Sequence, residues 1–168
     1  SLLREREQAG PRVIAGLAKG HALRAPRKGG VRPTSDLVRG AIFNMVGPYF
    51  TEDVRVLDVY AGTGALGIEA LSRGARWADF VEHEPQCCAV IQENLQRTGF
   101  ADRSRVHRLS AHHALARLTG PYALVFMDPP FGRALDVDVV NSLVRRDLLD
   151  HDGFRILEQS IRSQEEVL

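Results

Sequence analysis

From residue 54 onward the chain alternates apolar, strand-like runs with amphipathic helical stretches, and that alternation limits what it can fold into. Residues 54–60, 78–82, 105–109, 123–127 and 154–158 read as strands. Residues 65–72, 85–97, 112–118 and 136–146 read as the helices between them, with Pro85 in a first turn where its missing N–H costs nothing. This order predicts an α/β body: a mostly parallel sheet with helices on both faces. The run Ala-Leu-Val-Phe-Met at 123–127 is wholly apolar, as a strand covered on both faces must be. Ligands of such sheets sit beyond the carboxyl ends of the strands. A length of 168 residues accommodates one body of this kind. With 44% hydrophobic and 26% charged residues, fibrous and disordered classes are excluded. No apolar run approaches the roughly 18 residues of a membrane helix.

Residues 1–48 read differently, as a basic extension packed on the body of 49–168. Residues 12–15 and 21–24 form a candidate hairpin about a turn at 16–20, and 26–33 (PRKGGVRP) is a basic, glycine-containing loop. Thr34 or Ser35 can cap a helix whose apolar face would be Leu37, Val38, Ala41, Ile42, Met45 and Val46, ended by Gly47-Pro48. Over residues 1–39 nine basic residues face three acidic ones, a net +6, while the rest of the chain is net −5. That asymmetry points to a polyanion partner or to a solvated terminus. The first ten residues are charged and lack an apolar core, so no secretory signal is expected. The cysteines, Cys87 and Cys88, are adjacent and suit neither an ordinary disulfide nor a zinc site, which fits a reducing cytoplasm. Cys88, Ile91 and Leu95 share helical spacing and read as sheet-packing residues. The histidines are dispersed, and no metal is expected.

The first strand runs into Ala61-Gly62-Thr63-Gly64-Ala65-Leu66-Gly67, a G-x-G-x-x-G loop in strand–loop–helix context. Small residues let a ligand approach backbone, and the helix start offers free N–H groups. The pattern suits a dinucleotide, another adenosine-bearing cofactor, or simply a tight turn. Asp58 precedes the loop at the strand's end, where a buried carboxylate requires a cationic ligand group or loop N–H donors. Glu82 ends the second strand 18 residues after Gly64, placed to accept ribose hydroxyls, with Glu84 as a neighbouring candidate.

The fourth strand runs directly into Asp128-Pro129-Pro130-Phe131. Two prolines fix φ, remove two donors and hold the preceding residues extended. The segment presents the Asp128 carboxylate and the Pro129 carbonyl, both acceptors, beside an aromatic ring. Such a set suits the exocyclic amine of a planar base stacked on Phe131. An aspartate-capped rigid turn is the plainer reading, but the position at a strand's carboxyl end favours the first.

Together these residues resemble class I S-adenosylmethionine-dependent methyltransferases, a Rossmann-like fold. More narrowly the chain resembles the bacterial family that methylates guanine N2 in 16S ribosomal RNA. Residues 12–16 (RVIAG), 32–36 (RPTSD) with Arg39 and 41–44 (AIFN), 64–75 (GALGIEALSRGA) and 128–131 (DPPF) carry that likeness. The resemblance implies S-adenosyl-L-methionine held by Asp58, Ala61, Gly62, Thr63, Gly64 and Glu82, with Arg32 and Thr34 over its methionine end. It implies Asp128, Pro129, Pro130 and Phe131 as the catalytic segment. Arg27, Lys28, Arg32, Arg39 and Asn44, with Phe131, would meet RNA. The partner implied is 16S rRNA, free or within a small-subunit particle, approached by a cytoplasmic monomer. The alternatives are an adenine-N6 methyltransferase, a non-catalytic RNA-binding module of the same fold and, from the glycine loop, a dinucleotide-dependent oxidoreductase.

Departures from the family pattern are Gly40 for Glu, Tyr60 for Phe and Thr63 for Ser. Ser110-Ala111 stands where an acidic or amide residue usually meets adenine, which leaves the Ala111 N–H for that contact. Such folds usually close with an antiparallel strand pair, and only ten residues follow Glu158, so the expectation is that either residues are missing or the sheet's C-terminal edge is incomplete.

Overall fold

The computed structural model describes residues 9–26, 35–47, 50, 51, 53–128 and 137–157. A short antiparallel hairpin comes first, β1 (Ala9–Arg12) with β2 (Ala22–Arg24), followed by α1 (Asp36–Val46). The body then runs β3 (Arg55–Val59), α2 (Ala65–Ser72), β4 (Trp77–Glu82), α3 (Pro85–Thr98), β5 (Ser104–Arg108), α4 (Ala111–Arg117), β6 (Tyr122–Met127), α5 (Val137–Arg145) and β7 (Leu149–Leu157). Among the described residues the sheet has five strands, ordered β5-β4-β3-β6-β7 and parallel throughout. The alternation read from residue 54 is therefore the fold. The expected incomplete C-terminal edge falls past residue 157, outside the described residues.

Chain direction across the sheet reverses between β3 and β6. After β3 the chain moves outward to β4 and β5, then returns to lay β6 on the other side of β3. In open α/β sheets such a switch point is where ligands bind, outside the strands' carboxyl ends. One sheet face carries Val56, Ala78, Phe80, Leu124 and Phe126 against α1, α2 and α3, and the other carries Leu57, Val59, Val81, Val125 and Met127 against α4 and α5. Val13, Leu23, Val38, Ile42 and Phe43 of the N-terminal extension belong to the first of these cores.

The first strand of the hairpin lies three residues earlier than its sequence suggests, while the second falls where expected. Beyond Arg12 only Val13 continues the pairing, donating to His21 O at 3.0 Å. The N–H groups of Ile14 and Ala15 turn instead to the Glu69 carboxylate, at 2.7 and 3.2 Å. Ser72 Oγ accepts from Ala18 N and donates to Ala15 O, so α2 carries the whole turn.

The buried face of α1 also differs from expectation. Ser35 caps the helix, accepting from Val38 N at 3.2 Å. Its buried side is Val38, Arg39, Ile42, Phe43 and Val46, while Leu37 (76%) and Met45 (59%) are exposed. Two long-range contacts turn the helix this way. Phe43 packs on Phe126 with centroids 5.7 Å apart, and Arg39 pairs with Glu69 of α2 at 3.5 Å, both side chains fully buried.

Candidate active site

The glycine loop is shaped by backbone conformations that few side chains adopt. Gly62 and Gly64 have φ of 59° and 79°, and Gly64 caps α2 in the left-handed region. Tyr60 also has a left-handed φ, 61°, a strain of about 1–3 kcal/mol of the kind that collects at functional sites. Gly67 is needed for a different reason. A Cβ there would lie 2.3 Å from the Phe80 ring, so its absence lets α2 close on β4.

Asp58 is buried at 2% exposure, and Oδ2 accepts from Gly67 N at 3.0 Å. Of the two partners the sequence allowed for this carboxylate, a loop N–H is present. Glu82 is 8% exposed and stands beside the loop, Oε1 accepting from Gly62 N at 3.2 Å and Oε2 from Glu84 N at 3.0 Å. Each carboxylate oxygen has a second lone pair, so a ribose hydroxyl can still be accommodated. Ala61 N donates to Val81 O at 3.0 Å, tying the loop to the end of β4. Ala111 opens α4, behind a cap in which Ser110 Oγ accepts from His113 N.

Asp128 follows β6 directly and is half-buried. Val59 and Met127 are register partners on adjacent parallel strands, as are Asp58 and Phe126. Strand spacing and rise then place the Asp58 and Asp128 backbones about 8 Å apart on one rim. Pro129, Pro130, Phe131, Arg27, Lys28, Arg32 and Thr34 lie outside the described residues.

One expectation changes. Arg39 is fully buried and engages Glu69 and Asp36, so its side chain braces α1 against α2 and does not reach RNA phosphates. Thr63 is 3% exposed; its hydroxyl accepts from Ala65 N, which shapes the loop from inside. Asn44 lies on the exposed side of α1, next to Met45.

The residue that reading the sequence missed is Asn94. It is fully buried on α3, and all of its amide is used. Oδ1 accepts from Arg24 N at 2.8 Å, while Nδ2 donates to Arg24 O at 3.0 Å and to Thr63 O at 3.1 Å. One side chain thus joins the hairpin to the glycine loop. Its signal was an amide among Cys87, Cys88, Ile91 and Leu95 on the apolar face of a helix, where a polar group has to find partners. Among the described residues no group of three metal-ligating side chains occurs, and no helix is long and apolar enough to cross a membrane.

Comparison with known proteins agrees with this architecture. The sequence profile of the family described as Conserved hypothetical protein 95 matches residues 11–167. Ribosomal RNA small subunit methyltransferase D of Escherichia coli (strain K12) is 38% identical over 156 residues, covering 93% of this chain and 75% of that protein. Its namesake in Haemophilus influenzae is 33% identical over 150 residues, 88% of this chain and 77% of the other. A solved Escherichia coli structure described as a methyltransferase, yhhF, superposes with a TM-score of 0.77 at 36% identity, covering 86% of this chain and 78% of the other. A precorrin-6y C5,15-methyltransferase from Geobacter metallireducens shares the fold, with a TM-score of 0.63 at 21% identity over 85% and 73% of the two chains. With a parallel sheet reversing at β3/β6, a G-x-G-x-x-G loop under Asp58 and matches of this extent, the chain belongs to the Conserved hypothetical protein 95 family, that of the small-subunit ribosomal RNA methyltransferases D.

Proposed function

We propose that the protein transfers a methyl group from S-adenosyl-L-methionine to the exocyclic N2 of a guanine in 16S ribosomal RNA. The observation that carries this is the common rim of Asp58 and Asp128, set by the Val59–Met127 register. The residues present fit the donor: an open-backbone loop at Ala61, Gly62 and Gly64, with acids at 58 and 82 on the adjacent strand ends. Glu82 would hold the ribose hydroxyls, the Ala111 N–H would meet adenine, and Arg32 and Thr34 would cover the methionine end. When bound, this donor supplies an electrophilic methyl carbon on a sulfonium.

The chain's own contribution lies at the amine. The N2 lone pair is delocalised into the purine and is a poor nucleophile. Acceptance of its hydrogens by the Asp128 carboxylate and the Pro129 carbonyl localises that pair and steadies the positive charge that develops on nitrogen. Pro130 keeps the acceptors stiff, and Phe131 stacks on the base. Positioning within about 3–3.5 Å in line lowers the barrier further. A guanine in a paired helix is out of reach, so the target must be unstacked or turned out. Arg27, Lys28 and Arg32 hold phosphates around it.

The same acceptors suit adenine N6, and one experiment separates the two bases. Undermethylated small subunits, free rRNA and DNA are incubated with the protein and labelled S-adenosyl-L-methionine, then digested to nucleosides. Label in N2-methylguanosine is the expected result. Label in N6-methyladenine, or in DNA alone, overturns the assignment.

A further inference from the structure

Residues 40–168 carry more acid than base, yet three arginines on one edge of the sheet take no part in the ion pairs found among the described residues. Arg105, Arg108 and Arg117 are exposed. Arg24, Arg39, Arg55, Arg73 and Arg76 each form an ion pair with a carboxylate, and among the described residues these three form none. They line an open groove of about 380 Å³ between β5 and α4, together with His107, Ala114 and Leu118. No carboxylate lines the groove. Two buried acids of β4 are register partners of β5: Glu82 opposite Arg108, occupied by the N–H groups of Gly62 and Glu84, and Asp79 opposite Arg105. Asp79 is 4% exposed and is occupied by His107 Nε2 at 2.8 Å and by the Tyr122 hydroxyl at 2.5 Å. Its charge therefore faces inward.

Strand β5 is outermost in the sheet and, among the described residues, pairs only with β4. Its free edge offers backbone N–H donors beside the guanidinium groups. Alternation along β5 puts Arg105, like Arg117 of α4, on the α4 face and Arg108 on the opposite one. Guanidinium forks match phosphate oxygens two at a time, and a groove with two of them and no lining acid is shaped for a polyanion backbone. Three strand spacings separate β5 from β6, and by register Arg105 is level with Leu57 and Val125, three residues short of Asp128. The Arg105 and Asp128 backbones are then about 17 Å apart, a span that one folded RNA segment crosses.

We propose that the groove between β5 and α4 is a second RNA-contact surface, which holds backbone phosphates flanking the target nucleotide. It rests on the rRNA reading above and extends it to the β5 edge of the sheet. The surface adds affinity and orientation and takes no part in chemistry.

The test uses the full chain with Arg105→Glu and Arg117→Glu together, and a small-subunit rRNA fragment. Binding is measured across a salt series, alongside methylation kinetics and the thermal shift caused by S-adenosyl-L-methionine. Loss of two phosphate contacts should weaken RNA binding about tenfold or more and flatten the log–log salt slope by about 1.5. The KM for RNA should rise with kcat within about twofold. An unchanged thermal shift shows that the variant is folded, and the corresponding double lysine variant should keep the salt slope. RNA affinity and slope equal to those of the unaltered chain would overturn the proposal; the arginines would then merely guard an edge strand against pairing. A slope difference in a protein that methylates no guanine keeps the groove and sinks the catalytic reading. Normal methylation with no slope difference does the reverse, and absence of any RNA binding sinks both.

Discussion

Asn94 Nδ2 donates to the carbonyl of Thr63 at 3.1 Å, so a residue in the middle of α3 holds the centre of the glycine loop. The same amide makes two hydrogen bonds to the backbone of Arg24. Asn94→Ala leaves two carbonyls and one N–H without these partners, at about 1–3 kcal/mol for each group that stays buried and unpaired. Cofactor affinity should fall several-fold along with stability. Titration with S-adenosyl-L-methionine and urea unfolding, run on the same samples, check both. Unchanged affinity in a destabilised variant would show that the bond serves the hairpin alone.

Gly67 and Phe80 are matched in size, and Gly67→Ala should overpack the α2–β4 contact. The added methyl, 2.3 Å from a ring carbon, costs about 1–3 kcal/mol. Phe80→Leu opens a gap and is itself destabilising. The double variant should be more stable than the sum of the singles allows, a coupling that a denaturation cycle measures directly.

Arg39 and Glu69 form a buried pair that joins the N-terminal extension to the body. Glu69 also accepts from Ile14 N, Ala15 N and Arg73 Nε. Arg39→Met removes one cation from a buried carboxylate and should cost about 3–5 kcal/mol. Limited proteolysis should then cut first in the N-terminal extension, since Arg39, Ile14 and Ala15 all anchor it to α2 at Glu69.

Asp79 makes stability depend on pH in a defined direction. Burial pushes its carboxyl up, but hydrogen bonds from His107, Tyr122 and Trp77 together outweigh that and hold its pKa below the ordinary 3.8. A carboxyl lowered by folding stabilises the native state above its unfolded value. That contribution is lost as pH falls below about 3.8 and through the lowered folded value. Asp79→Asn should lower stability at pH 7 and narrow the gap between pH 7 and pH 3 in urea unfolding. Tyr122→Phe, which removes a bond to a charged acceptor, should cost about 1.5–3 kcal/mol at pH 7.

Cys87 and Cys88 are buried at 1% and 5% exposure. Burial, reinforced by Glu82 and Glu84, pushes the Cys87 thiol up to about 12. Both thiols should therefore resist an aromatic disulfide reagent at pH 8 in the native protein. Both should react once guanidinium unfolds the chain. Fast titration of the native protein would contradict this packing.

Much of this molecule was legible from residue order, because it follows from local covalent physics. Alternating apolar runs define strands and helices from 54 onward, and α2 begins at Ala65 and ends at Ser72 as its pattern predicts. Glycines at 62 and 64 announce a tight turn, and both adopt positive φ. Partnership across the chain was not legible in the same way. Leu37, Ala41 and Met45 offer α1 one apolar stripe and Val38, Ile42 and Val46 another. Contacts with Phe126 and Glu69, far along the chain, select the second. Arg39 reads as a surface cation until Glu69 comes within 3.5 Å, and Asn94 reads as an ordinary helix residue until Thr63 and Arg24 converge on it. A charged or amide side chain carries the same donors wherever it stands, and which acceptor it meets is fixed when folding brings distant backbone to it and excludes water.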